Sequence, residues 1–81
     1  MEIDNLKTVN KTIGAKQTSK AVSRGEVKMV FVASDSDKRI VEPILNLCEQ
    51  HNVPVNQEYS MEELGKACRI KVKAAAVGVL F

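Results

Sequence analysis

The residues best suited to bind a ligand lie between two glycines. Gly14 opens the segment, the next six residues (AKQTSK) are mostly polar or basic, and Gly25 closes it. Glycine adopts backbone angles closed to other residues and has no side chain to block close approach. The free N–H groups of a first helical turn attract anions, especially phosphate. The segment therefore predicts either a short helix whose first turn contacts phosphate or RNA, or an ordinary capped helix.

The far end of this helix is predicted from its closing residues. Gly25 lies where a C-cap glycine belongs, and Arg24 lies at the negative end of the helix dipole. Thr18, Ala21 and Val22 give a thin apolar face. Such a helix packs along one edge and leaves the rest to solvent or to a ligand.

Charge is segregated along the chain. Residues 1–28 carry six basic and three acidic side chains, for a net charge of +3. Residues 29–63 carry two basic and seven acidic side chains (−5), and residues 64–81 carry four basic side chains and no acidic one (+4). If the fold brings the first and last segments together, they form one basic face of the kind that binds nucleic acid. The alternative is an uneven charge distribution on a surface with no such role.

Other chemistry has little support in the sequence. Cys48 and Cys68 are separated by 20 positions and lie among apolar residues, so we expect small buried hydrophobes rather than a disulfide or a zinc site. His51 has no metal-binding companion and is expected near a helix end, in solvent. No Ser/His/Asp set, metal cluster or phosphate loop is present. We expect a protein that is not an enzyme and needs no metal or cofactor.

The length and the apolar runs limit the architecture. Eighty-one residues predict one domain, 1–81. No apolar run reaches the roughly 20 residues that cross a membrane, and the N-terminus lacks the features of a signal peptide. We expect a cytoplasmic protein, without membrane contact, that functions as a monomer.

Strand-like and helix-like stretches alternate along the chain, which predicts an α/β sandwich with a mostly parallel or mixed sheet. The expected strands are 11–13, 27–33 (buried on both faces), one starting at Val53, and the central 74–81. Four helices are expected. The first is a turn within 4–9 capped by Asp4 or Asn5, the second spans 15–24, and the third follows a cap in 34–37 and ends near 50 or 51. The fourth begins with a Ser60/Glu63 capping box and has a buried face of Leu64, Ala67 and Cys68. The third of these helices is predicted to be amphipathic, with Pro43 near its start and an apolar face formed by Ile40, Val41, Ile44, Leu45, Leu47 and Cys48.

Four stretches in this order resemble a known family. Residues 14–21 (GAKQTSKA), 34–49, 52–55 (NVPV) and 63–68 (ELGKAC) are similar to the L-seven-Ae (L7Ae) family of kink-turn RNA-binding ribosomal proteins, in particular its short bacterial members. The resemblance implies a three-layer α-β-α sandwich around a small mixed four-stranded sheet. It also implies binding of a kink-turn, an RNA helix bent sharply at a short bulge beside tandem sheared G·A pairs.

The resemblance assigns expected roles in the glycine-led helix. Gly14 would permit close approach, Lys16 and Gln17 would face the guanines of the G·A pairs, and Lys20 would hold a backbone phosphate. Family members commonly carry asparagine and glutamate at the two guanine-facing positions. The lysine adds charge and loses an acceptor, so affinity is expected to persist while base discrimination becomes less defined.

A second group of residues is expected at the bulge. Asp37 falls near a position where the family often places an acid that contacts the flipped-out nucleotide, although a helix N-cap explains this aspartate equally well. The residues matching the apolar loop that covers the nucleotide are Ile70, Lys71, Val72, Lys73 and Ala74.

The leading hypothesis is a non-enzymatic protein that stabilises a kink-turn in structured RNA, either in the ribosome or in a regulatory RNA. The main alternative is a protein–protein interaction module on the same fold, with the acidic segment 29–63 as its docking face.

Overall fold

Helices and strands alternate along residues 6–81, the part of the chain that the computed structural model describes. The chain enters this part in a short 3₁₀ turn at Leu6 and Lys7. The caps expected at Asp4 or Asn5 lie outside the described residues. The elements are β1 (Lys11–Ile13), α1 (Ala15–Ser23), β2 (Val27–Val32), α2 (Lys38–Gln50), β3 (Val55–Asn56), α3 (Met61–Ala67) and β4 (Ala76–Leu80).

The four strands form one mixed sheet in the order β1-β4-β2-β3. The central strand β4 pairs antiparallel with β1, where Ile13 lies opposite Val77, and antiparallel with β2, where Val32 lies opposite Ala76. β2 and β3 are parallel, since α2 carries the chain back across the sheet between them. The mixed four-stranded sheet that the resemblance implied is confirmed.

Two hydrophobic clusters on opposite faces of the sheet make three layers. Val30 and Val32 of β2 join α1 and α2 on one face, whereas Phe31, between them in sequence, joins Leu6 and α3 on the other. Successive strand residues point to opposite faces, so a strand covered on both sides must be apolar at nearly every position. The expected burial of this strand on both faces is confirmed for residues 30–33, while Lys28 is exposed.

The predicted helix ends are also confirmed. At the end of α1, the Gly25 N–H donates to Val22 O (3.0 Å) and the Glu26 N–H donates to Ala21 O (3.1 Å), which is the Schellman arrangement. At the start of α3, Ser60 Oγ accepts from the Glu63 N–H (3.1 Å) and the Glu63 carboxylate accepts from the Ser60 N–H (3.0 Å). The reciprocal pair satisfies two N–H groups that the helix itself leaves without partners.

Several local predictions were wrong, among them the central strand, which was expected over 74–81 and runs from Ala76 to Leu80. The strand expected from Val53 is shorter and begins at Val55, because the Val53 N–H is bound instead to Cys48 O at 2.8 Å. Ile40 remains 48% exposed, since the buried stripe of α2 runs through Val41, Ile44 and Cys48. Ala67 is only half-buried.

Both cysteines are free and buried, as expected. Burial raises the pKa of the Cys48 thiol, and it also raises the pKa of Cys68, where the nearby charge of Lys11 acts in the opposite direction. Over residues 6–81, no group of three metal-binding side chains is arranged to hold an ion, and none of the helices has the length and apolar character needed to cross a membrane.

Candidate nucleic-acid interface

The first turn of α1 is open at its N-terminal end. Gly14 is the N-cap residue, with φ 99° and ψ 154°, and no side chain from the described part of the chain caps the helix. This backbone conformation strongly favours glycine. A methyl group built on Gly14 would meet nothing within 4 Å, so the space next to the Gly14 Cα is open.

Helix α1 has one exposed polar face and one buried apolar face. Lys16, Gln17 and Lys20 are exposed, whereas Ala21 and Val22 are buried against the sheet and against α2. The thin apolar face expected from the sequence is therefore confirmed. The three long polar side chains remain available to a partner outside the protein.

The rotation of α1 about its axis is fixed by a hydroxyl pair. Thr18 is fully buried, and its Oγ1 lies 3.0 Å from Thr12 Oγ1 on β1. The Gly78 N–H on β4 donates to the same Thr12 oxygen at 3.2 Å. A buried hydroxyl without a partner is costly, so this connection favours one orientation of the helix against the sheet. In that orientation the side chains of Lys16, Gln17 and Lys20 are exposed.

The loop between α3 and β4 contributes a second exposed group. Lys71, Val72 and Lys73 are exposed, and Val72 retains 69% of its accessible surface, which is unusual for valine. Ile70 is half-buried against the core. Ala74, expected to cover a nucleotide, is only 1% exposed, because the chain turns inward there to enter β4. Its side chain belongs to the core and not to the surface.

A backbone hydrogen bond joins the start of α1 to the start of β4. The Gly14 N–H donates to Ala76 O at 2.9 Å. The turn after Gly14 and the loop before Ala76 are therefore neighbours, although some sixty residues separate them in the sequence. The expectation that the first and last basic segments meet in space is confirmed.

The turn before α2 reaches the same edge of the sheet. The Ala33 N–H donates to Ala75 O at 2.9 Å, and Asp35 Oδ1 accepts from the Met61 N–H at 2.8 Å. Asp37 is the N-cap of α2: its Oδ1 accepts from the Arg39 N–H at 2.8 Å. The N-cap interpretation of Asp37 is thus confirmed, and its contact with a nucleotide stays a prediction.

Exposed lysines lie on both α1 and the loop before β4, whereas Asp35 and Asp37 lie in the turn before α2. Lys16 and Lys20 on α1 and Lys71 and Lys73 in the loop are exposed, and none of them forms an ion pair with a carboxylate of residues 6–81. Ammonium groups that lack a carboxylate partner attract anions most strongly. Together with the open helix start, they form a surface suited to a phosphate backbone.

Some contributors were not foreseen from the sequence. The Thr12–Thr18 pair had a weak signal, since a threonine on a buried face must find a hydrogen-bond partner. The bond between Asp35 and Met61 joins residues 26 positions apart, which no local pattern predicts.

One known protein family matches almost the whole chain. The model of the ribosomal protein L7Ae/L30e/S12e/Gadd45 family matches residues 4–80. The chain is also similar to RNA-binding protein YbxF of Geobacillus stearothermophilus, with 48% identity over 84% of this chain and 83% of that protein. It is 40% identical to an RNA-binding protein of Geobacillus sp. strain WCH70 over 99% of both chains.

Solved structures share the fold. A 15.5kD RNA binding protein of Giardia lamblia superposes with a TM-score of 0.89 and 27% identity, covering 98% of this chain and 70% of that one. A Bacillus halodurans protein of unknown function has the same TM-score of 0.89 at 24% identity, covering 98% of this chain and 83% of its own, and supports the fold alone.

Proposed function

The chain belongs to the ribosomal protein L7Ae/L30e/S12e/Gadd45 family, and from this premise we propose that it is a non-enzymatic RNA-binding protein that recognises and stabilises a kink-turn. The names of its relatives support the RNA-binding part of the proposal. The proposal extends to a monomer acting in the bacterial cytoplasm on ribosomal or other structured RNA.

One observation carries the kink-turn proposal: the Gly14 N–H bond to Ala76 O, which places the open helix start beside the loop 70–74. A kink-turn presents two features close together, the G·A pairs and the flipped-out nucleotide. A protein that binds both at once needs two contact elements in fixed relation. The hydrogen-bonded edge of the sheet provides that relation.

The chemistry of each element suits its proposed partner. Lysine donates to guanine O6 and N7, and the Gln17 carboxamide has both a donor and an acceptor for a base edge. Lys20, one turn further along α1, would hold a phosphate. Val72 offers an apolar surface for an unstacked base, while Lys71 and Lys73 would neutralise the adjacent phosphates. Ordinary A-form RNA hides base edges in a narrow groove, which explains a preference for a distorted element.

Stabilisation of the bend then follows from differential affinity. Sharp bending brings phosphates together and is unfavourable in free RNA at low salt. A protein that binds only the bent form raises its population by the amount of that preference. No covalent step is required.

The test compares a kink-turn RNA with a straight duplex of equal length, by filter binding at moderate salt. We expect clear preference for the kink-turn, and increased bending of labelled RNA by energy transfer on addition of protein. Equal binding to both RNAs would contradict the kink-turn proposal. No affinity for either at low salt would favour the protein-interaction alternative.

A further inference from the structure

A groove lies between α3 and the loop that follows it, and it combines residues of the proposed nucleotide-covering loop with two residues of α3 that have no assigned role. Its volume is about 350 Å³. We call it the α3 groove, and its lining residues are Glu62, Lys66, Ile70, Lys71, Val72 and Lys73. Three of the six carry an ammonium group and one a carboxylate. Neither Glu62 nor Lys66 has a role in the surface described above.

The walls of the α3 groove are held by backbone contacts. The Ile70 N–H donates to Gly65 O at 3.1 Å, and the Arg69 N–H donates to Lys66 O at 3.0 Å. A side chain at Gly65 would overlap the carbonyl oxygen of Val72, so the loop lies directly on α3 at this point. The backbone positions of the lysines on the two walls are consequently set by the fold.

The charge inside the groove is only partly neutralised. Lys66 Nζ lies 3.2 Å from Glu62 Oε1, and the two side chains are 77% and 65% exposed. A pair this exposed contributes little energy, so a stronger anion can displace the carboxylate. Lys71 and Lys73 have no carboxylate partner among residues 6–81. The groove therefore has a net positive charge, and an incoming anion can replace its one carboxylate, that of Glu62, at Lys66.

These features favour one ligand chemistry. The lining contains no aromatic side chain on which a base could stack, and its positive groups stand on both walls. A phosphodiester fits this arrangement better than a nucleobase does, since ammonium groups bind phosphate as point charges. The same loop carries Val72, which lines the groove and belongs to the proposed nucleotide-covering surface.

We propose that the α3 groove is a second RNA-contact site, which holds a backbone phosphate of the strand that continues beyond the nucleotide covered by the loop. This inference rests on the proposed function and adds Lys66 to the RNA-contacting residues. In the free protein the Glu62 carboxylate pairs with Lys66, and it competes with the RNA phosphate for the Lys66 ammonium group.

The test measures affinity and salt dependence for a kink-turn RNA with long stems. Lys66→Ala is expected to weaken binding roughly two- to fivefold, the size of one exposed ion pair. It should also reduce the slope of log K against log salt by about 0.7 to 0.9. Glu62→Gln removes the competitor and should strengthen binding. Shortening the stems stepwise should abolish the Lys66→Ala effect once the strand no longer reaches the groove.

Lys28→Ala is the matched control. It removes one exposed lysine from the opposite end of the sheet, next to Val27, which pairs with Leu80. Two results would overturn the groove site alone, provided that the wild-type protein binds the long RNA. In the first, the Lys66→Ala variant binds this RNA no more weakly than the Lys28→Ala variant. In the second, the Glu62→Gln variant binds it no more tightly than the wild-type protein. A wild-type protein without affinity for the RNA would overturn the proposed function together with this site.

Discussion

Thr12 and Thr18 share a hydrogen bond between their hydroxyl groups, with the two Oγ1 atoms 3.0 Å apart. Thr18 is the one polar side chain among residues 6–81 that is fully buried. The bond links α1 to β1, and through the Gly78 N–H to β4. The helix that presents Lys16 and Gln17 is thus anchored to the sheet through the fully buried hydroxyl of Thr18.

Thr18→Val should lower the free energy of unfolding by about 1 kcal/mol, since it keeps the shape of the side chain but leaves the Thr12 hydroxyl with one partner fewer. Urea denaturation measures the change. The same substitution should cost less in a Thr12→Val background, because the partner is already absent. Additive effects of the two substitutions would contradict the proposed coupling.

Gly65→Ala should destabilise the protein by about 1 to 3 kcal/mol, the usual cost of overpacking, because the added methyl group overlaps the Val72 carbonyl oxygen. Helix propensity alone predicts the opposite sign, since alanine is favoured over glycine by roughly 1 kcal/mol inside a helix. Thermal unfolding therefore decides between them: a higher Tm would show that the loop does not lie against α3. Glu62→Ala, on the exposed side of the same helix, serves as the control.

Lys20→Ala should weaken binding to all RNAs and lower the salt slope by about 1, because a phosphate contact carries no sequence information. Filter binding at several salt concentrations tests this. Lys28→Ala, which removes the same charge from an exposed strand position, should have a smaller effect. A loss confined to kink-turn RNA would instead assign Lys20 to base recognition.

Gln17→Ala should mainly relax the preference for the G·A pairs. The carboxamide is proposed to read a base edge, and such contacts discriminate between bases by roughly 1 to 3 kcal/mol when they are well formed. The measurement is the ratio of affinities for a kink-turn and for the same RNA with Watson–Crick pairs in place of G·A. A uniform loss on both RNAs would indicate a role in backbone contact.

Stability should fall as the pH rises above the ordinary thiol pKa of about 8.5. Burial raises the pKa of Cys48 and of Cys68, so in this range the unfolded chain releases protons that the folded protein retains. Deprotonation then favours unfolding. Urea midpoints at pH 7 and pH 9.5 measure the effect, and a Cys48→Ala/Cys68→Ala variant, less stable overall, should show a weaker dependence on pH. An unchanged midpoint in the wild-type protein would contradict the thiol assignment.

Most of the secondary structure was predictable because its signals are local. The Ser60–Glu63 capping box and the apolar run before Ser34 require only neighbours along the chain. The single basic face was conditional on the meeting of the two basic segments, and the Gly14–Ala76 bond supports that meeting.

What escaped prediction depends on contacts across the fold. Ile40 fits the apolar stripe by residue type, but the rotation of α2 against the sheet leaves its side chain exposed. Ala74 was assigned to the nucleotide-covering loop by the resemblance, although the turn into β4 buries its side chain. The groove beside Lys66 depends on the close approach of a loop to a helix, for which a single glycine in the sequence is an ambiguous signal.

The central position of β4 has a consequence for the order of assembly. β4 follows every other described element in the chain, yet both β1 and β2 must hydrogen-bond to it. Chains fold from the N-terminus as they emerge during synthesis, so the glycine-led helix is made long before the strand that anchors it. A nascent chain without β4 lacks the strand to which β1 and β2 are hydrogen-bonded, so the proposed interface can be complete only after β4 has been synthesised.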